Sequence, residues 1–244
     1  MDKLSTGIDL YLSGDLHNAI KVFKEHIAEK GFDIGSAYYH LGLCFSDLNM
    51  QAEAGENFIK AVEYSPEKSM YHYKLGLAYF RLMALDKAAS SLEKTLQLNP
   101  EHQRSRFLLG QVYFQQGAMD KAYNIFSEVL RKSPDFADAY YFRGRSLYQQ
   151  GKDVEALSDL YKALEINDEH MDALIEISKI YFQNADYEKS YTVRKKIYNK
   201  GLRSFPFMKN YLIVLKNVGK FDEFNQIKQE AAVLFPNNQE LESL

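Results

Sequence analysis

A single cysteine, Cys44, excludes an intrachain disulfide and any zinc site that needs several thiolates. Only 5 prolines and 13 glycines are present, which excludes a collagen-like or low-complexity chain. Neither charge sign dominates. The 30 basic and 33 acidic side chains leave a formal net charge of -3, so the positive excess of a general nucleic-acid binder is missing. No stretch approaches the roughly 18 consecutive apolar residues of a membrane span. Met1 to Leu10 lack a basic segment followed by an apolar run, so no secretory signal is expected there. These features together predict an intracellular, cytoplasmic protein. The rest of the composition is that of an ordinary globular protein. Apolar residues make up 46% of the 244 and charged residues 26%, which excludes a wholly disordered chain.

The few prolines are not scattered. Pro66, Pro100, Pro134 and Pro236 lie on one lattice of 34 residues. Gly42, Gly76, Gly110 and Gly144 repeat the same period, as do Ala54, Ala88, Ala122 and Ala156. Three residue types therefore share one period with fixed offsets, the mark of a repeat architecture. One unit reads Leu75, Gly76, Tyr79, Ala88, Leu92, Pro100, and the next reads Leu109, Gly110, Tyr113, Ala122, Phe126, Pro134. The preceding unit keeps Tyr38, Leu41, Gly42, Phe45, Ala54, Phe58 and Pro66; the following one keeps Tyr140, Gly144, Leu147, Ala156 and Leu160, with Asp168 in place of proline. Gly7, Leu10, Ala19 and Phe23 open the array, and one inserted residue falls in the Gly31–Gly35 connection. Two weaker copies follow. The first has Ser178 and Ser190 at the small-residue positions, and the second has Leu212 and Phe224 there.

This pattern resembles the tetratricopeptide repeat, a helix–turn–helix unit of 34 residues. The resemblance implies an all-α fold, a right-handed α-solenoid (superhelix) of antiparallel helix pairs. Its units are 1–34, 35–68, 69–102, 103–136, 137–170, 171–204 and 205–238, a single array followed by a tail at 239–244. The first helix of each unit is termed A and the second B. The glycine and alanine of the lattice lie where A and B cross, since small side chains let the two backbones approach. The turn between them holds Gly117 or Gly151, which suits a left-handed helix end. The lattice proline ends helix B. Phe224 is too large for a tight crossing, so the seventh pair is expected to splay or to act as a cap.

The resemblance also places binding on the concave face, lined by helix A. The groove residues it implies are Tyr39, Tyr73, Phe80, Arg81, Arg104, Phe107, Gln111, Phe114, Tyr141, Arg145, Tyr148 and Lys179. An aromatic ladder with polar groups between its rungs suits a protein or peptide ligand. A chaperone-tail carboxylate clamp is not expected. Windows such as Leu4, Ile8, His40, Met70 and Lys74 lack the required lysines, asparagines and arginine. A basic cluster, Arg194, Lys195, Lys196, Lys200 and Arg203, offers an alternative: an outer face that binds an anionic surface on a protein, membrane or nucleic acid. Self-association, with another copy or the rest of a longer protein in the groove, is a third reading.

The residues suggest no bond chemistry. His40 and Cys44 form a helical i, i+4 pair, yet zinc needs further ligands nearby, and Cys44 falls at a packing position. No phosphate-binding glycine loop or serine nucleophile elbow is present. The expectation is a non-enzymatic adaptor or assembly scaffold with no cofactor, no metal, no membrane span and no specific nucleic acid.

Overall fold

Apolar residues spaced at three and four positions, with breakers confined to the joins, produce helices along the whole chain. The computed structural model describes residues 2–243. The helices are α1 (Lys3–Leu12), α2 (Leu16–Ala28), α3 (Ile34–Asp47), α4 (Gln51–Tyr64), α5 (Ser69–Arg81), α6 (Leu85–Leu98), α7 (Gln103–Gln115) and α8 (Met119–Lys132). They continue with α9 (Ala137–Gln149), α10 (Asp153–Ile166), α11 (Met171–Gln183), α12 (Tyr187–Asn199), α13 (Phe205–Asn217), α14 (Phe221–Leu234) and the short α15 (Gln239–Glu242). Odd-numbered helices up to α13 are A helices, and their successors are B helices. Among the described residues there is no strand.

Local chemistry sets the joins. Two residues past each A helix the chain turns with positive φ. Gly14, Gly117, Gly151 and Gly219 do so without penalty, with φ between +70° and +83°. Asn49, Met83 and Ala185 take the same turn at φ 61°, 58° and 56°, where a side chain costs about 1 kcal/mol. Pro66, Pro100, Pro134 and Pro236 each lie two residues beyond the last residue of a B helix. Pro206 instead occupies the first turn of α13, where a missing N–H is harmless. Asp15, Asp33 and Asp186 cap α2, α3 and α12 by accepting a backbone N–H. His102 and His170 do the same for α7 and α11.

The chain divides into two compact units, Met1–Val129 and Leu130–Leu244. In the first, A and B helices cross at glycine. A methyl group on Gly42 would lie 2.6 Å from the Phe58 ring, and one on Gly110 would lie 2.6 Å from Phe126. Packing then runs from neighbour to neighbour: α2 on α3, α4 on α5, α6 on α7. The cores are correspondingly local. One gathers Phe23, Ala37, Leu41 and Cys44; another gathers Leu92, Leu108, Leu109 and Val112. The second unit repeats this order, with α10 on α11 and α12 on α13. Its main core holds Ile197, Met208, Tyr211, Leu212 and Ile227, with Phe224 packed against it and Leu241 of α15 buried in it. Nearest-neighbour packing without a central core is the logic of an α-solenoid.

Candidate functional site

The residues expected to line a groove divide between the two units. In the first, Tyr39 is half-buried and stacks on Tyr71 at 4.6 Å, with Phe58 at 6.0 Å. Burial, with Tyr71 beside it, pushes the Tyr39 phenol up to about 12, so packing takes up much of this ring. Tyr73 tilts against His102 at 4.7 Å. Phe80 packs partly buried on the core around Leu92, and Phe107 meets Phe126 edge-on at 5.7 Å. Gln111 and Phe114 are half-buried on α7, whereas Arg104 is exposed. Arg81 is exposed at the end of α5 and donates to Ser46 Oγ at 3.0 Å and Gln51 Oε1 at 3.3 Å.

In the second unit the A helices α9 and α11 bring four expected residues together. The Arg145 guanidinium lies over the Tyr141 ring at 5.5 Å, and the Lys179 ammonium lies over Tyr148 at 5.3 Å. Glu176, only 7% exposed, approaches both cations, at 3.8 Å from Arg145 and 3.1 Å from Lys179. Burial raises the phenols of Tyr141 and Tyr148 above the ordinary tyrosine value. Tyr141 is also flanked by His170 at 5.0 Å, whose Nε2 lies 3.1 Å from Asp138. The result is a face of half-buried tyrosines with fixed charges between them.

The basic cluster does not form one patch. Lys195 pairs with Glu223 at 3.2 Å, Lys200 pairs with Glu169, and Arg203 pairs with Glu230 at 2.6 Å while stacking on Tyr198 at 3.5 Å. Lys196 is exposed. Arg194 parts from the rest: it is 4% exposed and points inward. It borders a cavity of about 450 Å³ shared by α11, α12, α13 and the loop before α13. Lys179 also lines that cavity, joined by Phe182, Phe207 and Asn210. The sequence did carry a signal for Arg194. It stands 34 residues after Leu160, at a lattice position that the five preceding pairs fill with buried phenylalanine or leucine.

His40 Nδ1 donates to the Ser36 carbonyl, 2.8 Å away, and Cys44 is fully buried. Among the described residues no group of three His, Cys, Asp or Glu side chains could hold a metal ion. Among them, too, no helix is long and apolar enough to cross a membrane.

Comparison with known proteins places this geometry. Protein-family models described as tetratricopeptide repeat match residues 35–68, 84–146 and 124–173. No curated protein matches the chain. Among solved structures, YrrB, described as a TPR protein with an unusual peptide-binding site, is 27% identical; the match covers 71% of this chain and 89% of that one with a TM-score of 0.68. The MamA protein is 26% identical over 68% of this chain and 90% of its own, with a TM-score of 0.64. A tetratricopeptide repeat protein from Parabacteroides merdae shares the fold over 99% of this chain and 95% of its own, with a TM-score of 0.73 at 14% identity. The fold is the all-α solenoid of antiparallel helix pairs that the 34-residue period implies. The chain belongs to the tetratricopeptide repeat family.

Proposed function

We propose that this protein is a non-enzymatic adaptor or assembly scaffold that binds a protein or peptide along its A-helix faces. The observation that carries the reading is the α9–α11 face. There Tyr141 and Tyr148 present half-buried rings, and Arg145, Lys179 and Glu176 form a charge network among them. Tyrosine and arginine give large, rigid contact area and directional hydrogen bonds, the traits of binding hot spots. The likeness to YrrB, itself described as having a peptide-binding site, supports the same reading. Tyr73, Phe80 and Phe107 offer a second aromatic face in the first unit.

The alternative of an anion-binding outer face receives less support. Lys195, Lys200 and Arg203 already meet Glu223, Glu169 and Glu230. A salt titration separates the two, because exposed polybasic contacts weaken steeply with ionic strength and aromatic anchoring does not. The direct test is selection from a displayed random-peptide library. Peptides retained by the wild type should lose binding to Tyr141→Ala/Tyr148→Ala while circular dichroism stays unchanged. Retention by that variant and by Phe107→Ala would overturn the assignment.

A further inference from the structure

The A/B crossing follows one rule through the first five pairs. A glycine of helix A faces a large apolar residue of helix B: Phe23, Phe58, Leu92, Phe126 and Leu160, none more than 1% exposed. In the sixth pair, α11 and α12, this rule breaks at three lattice positions together. Ser178 replaces the glycine, Ser190 the alanine, and Arg194 the buried phenylalanine or leucine. The three form a chain. Arg194 Nε donates to Ser190 Oγ at 3.2 Å, and Ser190 Oγ donates to the Ser178 carbonyl at 3.0 Å.

The guanidinium is held between two rings, with Phe182 at 5.3 Å and Phe207 at 5.9 Å. Burial alone depresses its pKa to about 10, so it stays a cation at neutral pH. A guanidinium has five N–H donors in a planar fork. Among the described residues only Nε finds a hydrogen-bond partner, and none of their carboxylates is within ion-pair distance. The side chain is 4% exposed, yet it borders the 450 Å³ cavity, within the usual size range of small-ligand pockets. Ser178, Lys179, Ser204 and Asn210 add polar groups to the wall, and the two phenyl rings add apolar ones. A buried, charged fork facing a cavity is a receptor for a planar anion, and carboxylate matches it in a bidentate pair.

We propose that this cavity is a carboxylate-binding site in which Arg194 grips a carboxylate of the bound peptide while Phe182 and Phe207 contact the apolar group beside it. This deepens the peptide-binding reading above and rests on it. The carboxylate could be a peptide's C-terminus or an acidic side chain.

The test is an NMR titration of the full chain, read at the Ser178 backbone amide and the Asn210 side-chain amide. N-acetyl-leucine represents a C-terminus, N-acetyl-aspartic acid α-amide represents an acidic side chain, and N-acetyl-leucinamide is the neutral control. At least one acid should shift both signals saturably, and the neutral amide should not; whichever acid binds names the source. Arg194→Leu restores the residue type found at Leu92 and Leu160, so it should fold, and its affinity for the acid should fall about tenfold or more. Arg194→Lys, which keeps the charge without the fork, should also bind more weakly. Silence from both acids, an equal response to the amide, or full binding by both variants would overturn the proposal. Failure of the peptide-binding reading is seen separately, as selected peptides that ignore Tyr141→Ala/Tyr148→Ala.

Discussion

Replacing Arg194 with leucine should stabilise the protein, a sign opposite to that of most substitutions at a fully buried site. The depression of the Arg194 pKa from 12.5 to about 10 corresponds to roughly 3 kcal/mol of unfavourable charge burial. Because the folded value lies below the unfolded one, this penalty is present in full below about pH 10 and fades as pH rises through it. The two ring contacts offset about 1 kcal/mol, and the hydrogen bond to Ser190 offsets about 1 kcal/mol more. Leucine forfeits both contributions, removes the penalty and adds apolar packing over Ser178. The balance favours the variant by about 2 kcal/mol. With an m-value of about 3 kcal/mol/M, the urea midpoint should rise by roughly 0.7 M, followed by far-UV circular dichroism at neutral pH. The converse change, Leu160→Arg, should destabilise by about 3 kcal/mol or more, since it buries a charge where the wild type has none. An Arg194→Leu variant less stable than wild type by about 1 kcal/mol would show the opposite of a costly buried charge. The wild-type guanidinium would then be satisfied within the fold and not held open for a ligand.

Three further outcomes follow from particular residues. Met83→Gly and Ala185→Gly should each stabilise by about 0.5–1 kcal/mol, because their positive-φ turns no longer carry a side chain; urea midpoints lower than wild type would contradict this. Cys44 is fully buried and its thiol is pushed up to about 11 by burial and then by Asp47, so native protein at pH 8 should resist a thiol-reactive disulfide that labels the unfolded chain at once. Burial opposes ionisation of Glu223, yet hydrogen bonds from Tyr211, Tyr191 and Lys195 hold its carboxyl below the ordinary 4.5. The stability this gives is present above that value and is lost as pH falls through the folded pKa, so Glu223→Gln should weaken the second unit at neutral pH and flatten its acid unfolding, measured by urea titration across pH.

The sequence made the architecture legible because the constraint repeats. Glycine at a helix crossing, alanine opposite it and proline past helix B each have one physical reason, and each recurs every 34 residues. The turns were only partly legible. Gly117 and Gly151 announce a left-handed residue, whereas Met83 and Ala185 adopt the same conformation against their own preference because the pairs on either side fix the turn. Charge was the least legible property. Read as a local count, Arg194 belongs with Lys195 and Lys196; read by phase, it falls on the buried stripe with Phe126 and Leu160. The helix phase decides which way the side chain points, and the neighbouring lysines carry no information about it. The partners of Lys195, Lys200 and Arg203 lie 28, 31 and 27 residues away, beyond the reach of any local pattern.

Peptide binding on the A-helix faces is measured by fluorescence anisotropy of one library-selected peptide. The titration compares wild type, Tyr141→Ala/Tyr148→Ala and Lys195→Ala/Lys200→Ala at low and moderate salt. The tyrosine variant should lose binding at both salts, and the lysine variant should match wild type. Binding that survives in the tyrosine variant but disappears with salt or with the lysines would contradict binding on the A-helix faces.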